Sequence, residues 1–68
     1  MNELDKAYND LKLSWELQLK AYYMRSNAFE ASRVGRHDVS KRDVAKAKRL
    51  DEKAAALREA AQKIIDLY

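Results

Sequence analysis

The chain has no cysteine, no proline, one glycine and one histidine among its 68 residues. Without cysteine there is no disulfide and no thiolate metal site, and a lone His37 cannot build a multi-histidine zinc site. A domain this small buries little of its surface, and its core alone supplies only a few kcal/mol. With disulfides and metals set aside, association with itself or with another protein is the expected supplement. The absence of cysteine fits a reducing cytosol. The start, MNELDKAYND, is polar and acidic and lacks the charged-then-apolar pattern of a secretory signal. Apolar runs stay far short of a membrane span, so a soluble protein without membrane partners is expected.

What is present is helix-forming composition: alanine, leucine, lysine, arginine and glutamate dominate, with no linker or low-complexity tract. Leu4, Tyr8, Leu11, Trp15, Gln18, Tyr22, Arg25 and Phe29 step alternately by four and three, a helical stripe interrupted by two polar residues. Leu13, Leu17 and Met24 form a second row beside it, widened by Leu19 and Tyr23. Asn2 is placed to cap the start, with Asp5 three residues on. Beyond the glycine, Ala47, Leu50, Ala54, Leu57, Ala61, Ile64 and Tyr68 repeat the rhythm without a break. Ser40 followed by Asp43 reads as the cap of this segment, and Glu16–Lys20 and Glu59–Lys63 are i,i+4 pairs in the favourable order.

The expected fold is therefore mainly α: one domain, an antiparallel two-helix hairpin, with a helix over about 3–32, a turn over about 33–39 centred on Gly35, and a helix over about 40–67. A helix of about 28 residues is about 42 Å long, so the hairpin is long and thin. The pattern predicts Trp15, Tyr22 and Phe29 packing large-to-small against Ala47, Ala54 and Ala61. One partner helix cannot cover the whole apolar arc of the first segment, which leaves Leu13, Leu17, Tyr23 and Met24 as a candidate partner interface.

Two geometries stay open at the bend. In one, the first helix continues to Arg33 or Val34, and Gly35 takes a left-handed conformation that turns the chain. In the other, a very short β-hairpin forms from FEAS and RHDV around Gly35, although Glu30, Ala31 and Ser32 suit strands poorly.

Chemistry-bearing constellations are scarce. Eight basic residues lie from Arg33 to Lys53 inclusive, and Arg33, Arg36, Lys41 and Lys48 are the candidates for a nonspecific phosphate or DNA contact. No aromatic interleaves them and no recognition-helix pattern appears, so sequence-specific reading is not expected. His37 beside Asp38 has no nucleophile arranged around it, and Ser14, Ser26, Ser32 and Ser40 have no triad context. No enzyme, catalytic residue, cofactor, metal or small-molecule substrate is expected.

The residues Gly35-Arg36, Val39-Ser40 and Asp43-Val44, with Trp15 in the first helix, carry a family resemblance. Chain length and the order helix, short β-hairpin with a Gly-Arg turn, capped helix resemble the phage head–tail joining proteins of the lambda W type. That resemblance implies a ring of copies between portal and tail, with no catalysis, cytoplasmic during assembly and then part of the virion. In layout, without a specific motif, the chain is also similar to the small two-helix co-chaperones of type III secretion needle subunits. The leading expectation is a non-enzymatic structural adaptor. Such a co-chaperone and a small nucleic-acid-associated helical protein are the alternatives.

Overall fold

The computed structural model describes residues 2–68. It consists of α1, Glu3–Arg33, and α2, His37–Ile65, folded back on each other as an antiparallel hairpin. There is no strand among the described residues, so the fold is mainly α, as the periodicity predicts. The overall extent is 50 × 15 × 13 Å, the rod expected of two helices of about 30 residues at about 1.5 Å rise. Among the described residues no helix is long and apolar enough to cross a membrane.

The helix ends follow local chemistry. Asn2 caps α1, its Oδ1 accepting the Asp5 N–H at 2.8 Å, and Glu3 and Asp5 place negative charge at the positive end of the dipole. At the other end, Val34 is the C-cap and Gly35 adopts φ +83°. The Gly35 N–H donates to the Ser32 carbonyl at 3.1 Å and the Arg36 N–H to the Ala31 carbonyl at 2.8 Å. This pair of bonds is the Schellman arrangement, which satisfies the last carbonyls of a helix and needs a left-handed residue where glycine stands.

The turn occupies only residues 34–36, which is the favoured of the two geometries at the bend, with α1 running to Arg33 and Gly35 left-handed, and it corrects the β-hairpin alternative and the Ser40 cap. The β-hairpin does not form, because Phe29–Ser32 complete the last turn of α1 and His37–Ser40 the first turn of α2. Nor is Ser40 a cap. Once the Schellman turn has reversed the chain, α2 starts at His37 with Arg36 as an N-cap that makes no side-chain bond, and the Ser40 N–H already donates to the Arg36 carbonyl at 3.0 Å. Asp38 supplies the favourable charge in the first turn.

The core corrects a third expectation. On α2 the alanine column is buried as predicted: Ala47, Ala54 and Ala61 are at most 1% exposed. On α1, however, the buried residues are Ala7, Ser14, Ala21 and Ala28, again seven apart, and not the aromatics. Tyr8, Trp15, Tyr22 and Phe29 each lie one residue later and are 54%, 59%, 65% and 64% exposed. A step of one residue rotates the face by about 100°. The physical reason is steric. Apolar side chains surround α1, so its hydrophobicity fixes no rotation, whereas a column of alanine and serine lets the backbones approach more closely than an aromatic column interrupted by Gln18 and Arg25.

Large-to-small packing persists in another form. Leu17 and Met24 of α1 and Leu50, Leu57 and Ile64 of α2 are half-buried around the seam. Lys20 and Met24 face Lys46, Leu50 and Lys53 across one groove. Along each helix small buried residues alternate with half-buried aliphatic ones, Ser14 and Ala21 with Leu17 and Met24 on α1, and Ala47, Ala54 and Ala61 with Leu50, Leu57 and Ile64 on α2. The fully buried Ser14 satisfies its hydroxyl by donating to the Leu11 carbonyl at 2.6 Å, so it costs the seam no orphaned polar group. Arg25 and Asp51 pair across the seam.

Candidate interaction surfaces

A residue immediately after a buried seam position points to one flank of the hairpin, and a residue immediately before it points to the other. In an antiparallel pair the two "after" positions share a side, as do the two "before" positions. This rule sorts nearly every side chain of interest.

The "after" flank of α1 carries Tyr8, Trp15, Tyr22 and Phe29, all exposed. At roughly 150–250 Å² per aromatic side chain, four of them about 60% exposed leave on the order of 500 Å² of aromatic surface. That is at the upper end of what a soluble monomer shows as its largest apolar patch. Tyr23, also exposed, stands edge-on to Tyr22 with ring centroids 5.8 Å apart and extends the patch round the back of α1.

The half-buried Arg58 contributes the one polar imbalance among the described residues. Its Nε and Nη2 are buried without an acceptor.

The "before" flank has a different character. Here Lys20, Lys46, Arg49 and Lys53 surround a groove floored by Met24 and Leu50, with a volume of about 250 Å³. No acidic residue lines it. Among the described residues, the ion pairs are Arg25–Asp51, Arg33–Glu30 at 3.3 Å and Lys63–Glu59 at 4.0 Å, so none of these four cations has a partner. The favourable spacing of Glu16 and Lys20 yields no ion pair.

The sequence-predicted site residues are divided by this geometry. Leu13, Leu17 and Met24 fall on or beside the "before" flank, with Leu13 exposed and the other two half-buried. Tyr23 lies away from them, on the back of α1. Arg33, Arg36, Lys41 and Lys48 do not converge. Arg33 pairs with Glu30, Arg36 is exposed at the N-cap position of α2 and makes no side-chain cap bond, and Lys41 and Lys48 follow seam positions and so share the flank of the aromatic row. The groove cations were missed as a group because Lys20 is far from the others in sequence. The signal was available: Lys20, Lys46 and Lys53 each immediately precede an alanine of a seven-residue column.

His37 is exposed in the first turn of α2, and among the described residues no three His, Asp or Glu side chains converge. No protein-family model, curated protein or solved structure matches this chain.

Proposed function

We propose that this protein is a non-enzymatic structural adaptor that assembles with copies of itself and with larger proteins, first of all as a ring element of a phage neck. One observation carries the adaptor reading: small residues fill the seam while Tyr8, Trp15, Tyr22 and Phe29 stand outside it in a single heptad-spaced row. Large aromatics are the usual anchors of interfaces. A row with a seven-residue repeat accepts a further helix in the way that the two helices here accept each other. The neck assignment rests on the two-helix order and the Gly35-Arg36 turn, without the strand pair and the Ser40 cap that the resemblance implied. The row laid on one foreign helix is the alternative, a co-chaperone of the needle-subunit kind.

Light scattering over a hundredfold dilution, paired with thermal melts, tests the proposal. The wild type is expected to form assemblies of several chains with a concentration-dependent midpoint. The Trp15→Ser, Tyr22→Ser double variant is expected to stay helical and fall to a single chain. A wild type that is monomeric throughout, with an unchanged cooperative melt, refutes self-assembly through the row. A one-to-one complex with a foreign helical protein supports the co-chaperone reading.

A further inference from the structure

The groove formed by Lys20, Met24, Lys46, Arg49, Leu50 and Lys53 lies on the flank away from the aromatic row, and the proposed self-assembly makes no use of it. We infer that it is a second docking site, which takes an acidic amphipathic helix of another protein as a third helix of the bundle.

Three observations point to that occupant. First, the charge is of one sign: four cations line the groove, no acid does, and none of the four is paired among the described residues. Unpaired like charges gathered this closely repel one another, and an incoming row of carboxylates relieves the repulsion. Second, the floor is apolar. Met24 and Leu50 lie between Lys20 on one wall and Lys46 and Lys53 on the other, so the groove matches a leucine or methionine flanked by glutamates. A nucleic-acid backbone would use the cations and leave the floor empty. The aromatics that stack bases are on the opposite flank. Third, the spacing is helical. Lys46 and Lys53 are seven residues apart, about 10.5 Å along the axis, which is the repeat at which a helix presents side chains of one face. Methionine on the floor adds adaptability to the partner's side chain.

The test is fluorescence anisotropy with a labelled synthetic peptide, rich in glutamate with leucine at every third and fourth position, titrated with the full chain at low ionic strength. Saturable binding that weakens with salt is expected. The triple variant Lys20→Glu, Lys46→Glu, Lys53→Glu is expected to weaken it by roughly tenfold or more, as loss of close charge pairs does. The control triple Lys12→Glu, Lys41→Glu, Lys48→Glu makes the same change in net charge outside the groove and is expected to shift binding far less. Polyglutamate, which has the charge without the leucines, is expected to bind more weakly than the peptide.

Equal losses in the two triple variants, or polyglutamate binding as tight as the peptide, overturn the site. So does a short DNA duplex that binds the groove more tightly than the peptide, which would assign it to nucleic acid. Loss of the wild type's self-association in the groove variant would assign it to a second copy and also overturns the inference. Repeating the titration with the Trp15→Ser, Tyr22→Ser variant separates the two surfaces: unchanged peptide binding there keeps the groove standing whether or not the aromatic row mediates assembly.

Discussion

The placement of alanine inside and aromatics outside makes Ala54→Leu a decisive perturbation. Ala54 is fully buried, one heptad from Ala47 on one side and from Ala61 on the other. A leucine there must displace side chains already packed in the seam. Within the chain α2 packs on α1 alone, so the strain pushes α1 away from α2. The neighbouring alanine layers, about 10.5 Å away along the axis, then lose contact as well. Overpacking typically costs 1–3 kcal/mol, and this geometry puts the substitution in the upper half, about 2–3 kcal/mol. For a domain of this size about 1 kcal/mol moves the melting midpoint by roughly 4–8 °C, so a fall of about 10–20 °C is expected. Ala56→Leu is the control, because Ala56 is exposed on the back of α2 and leucine there should change stability by no more than about 0.5 kcal/mol. Circular dichroism melts at one protein concentration make the comparison, and Ala21→Leu repeats it on α1. Equal midpoints for Ala54→Leu and Ala56→Leu would refute the seam. So would a tolerated Ala21→Leu together with a Trp15→Ala loss of about 3–5 kcal/mol, the cost of truncating a core aromatic.

Two further perturbations probe the turn and the unbalanced arginine. Gly35→Ala meets no atom within 4 Å of the added Cβ, so its cost is purely that of a left-handed backbone, about 1–2 kcal/mol, and Gly35→Asn should cost less; an alanine variant as stable as the wild type would mean that the turn is not left-handed. Arg58→Met keeps the long stem and removes the buried Nε and Nη2 that lack acceptors, so urea unfolding should show stability unchanged or raised by about 1 kcal/mol; a clear loss would show that the guanidinium finds an acceptor in solution.

Both helices, the chain reversal and half of the core were legible in the sequence. The unbroken rhythm Ala47, Leu50, Ala54, Leu57, Ala61, Ile64 gives α2 one apolar face, so its rotation was fixed, and its alanines are buried as expected. Gly35 was the only residue able to take a left-handed turn cheaply, and Asn2 caps α1 as its position suggested. The rotation of α1 was not legible from hydrophobicity. Leu13, Trp15, Leu17, Leu19, Tyr22, Tyr23 and Met24 spread over a wide arc, and a rule that buries the largest residues chooses the aromatic column. The closest approach of two backbones chooses the column Ala7, Ser14, Ala21, Ala28 instead. A strict seven-residue spacing of small residues on both segments was the discriminating signal. Ser40 misled for a related reason. A serine before a helical run reads as a cap, but this one is half-buried seven residues before Ala47, where a small side chain suits the seam.

The same column determines what the surfaces are. Once small residues hold the seam, each neighbour in sequence is assigned to a flank. The residues after the column on α1 are aromatic, while Lys20 before it joins Lys46 and Lys53 from α2. An aromatic flank and a cationic, apolar-floored flank differ in how they bind. The first gains from desolvation and tolerates salt, whereas the second depends on charge and weakens as salt screens it. Raising ionic strength should therefore dissociate an acidic helix from the groove while leaving assembly through the aromatic row in place. If salt instead dissolved both contacts together, the two flanks would have to act as one continuous interface, and the division of the surface by the alanine column would lose its functional meaning.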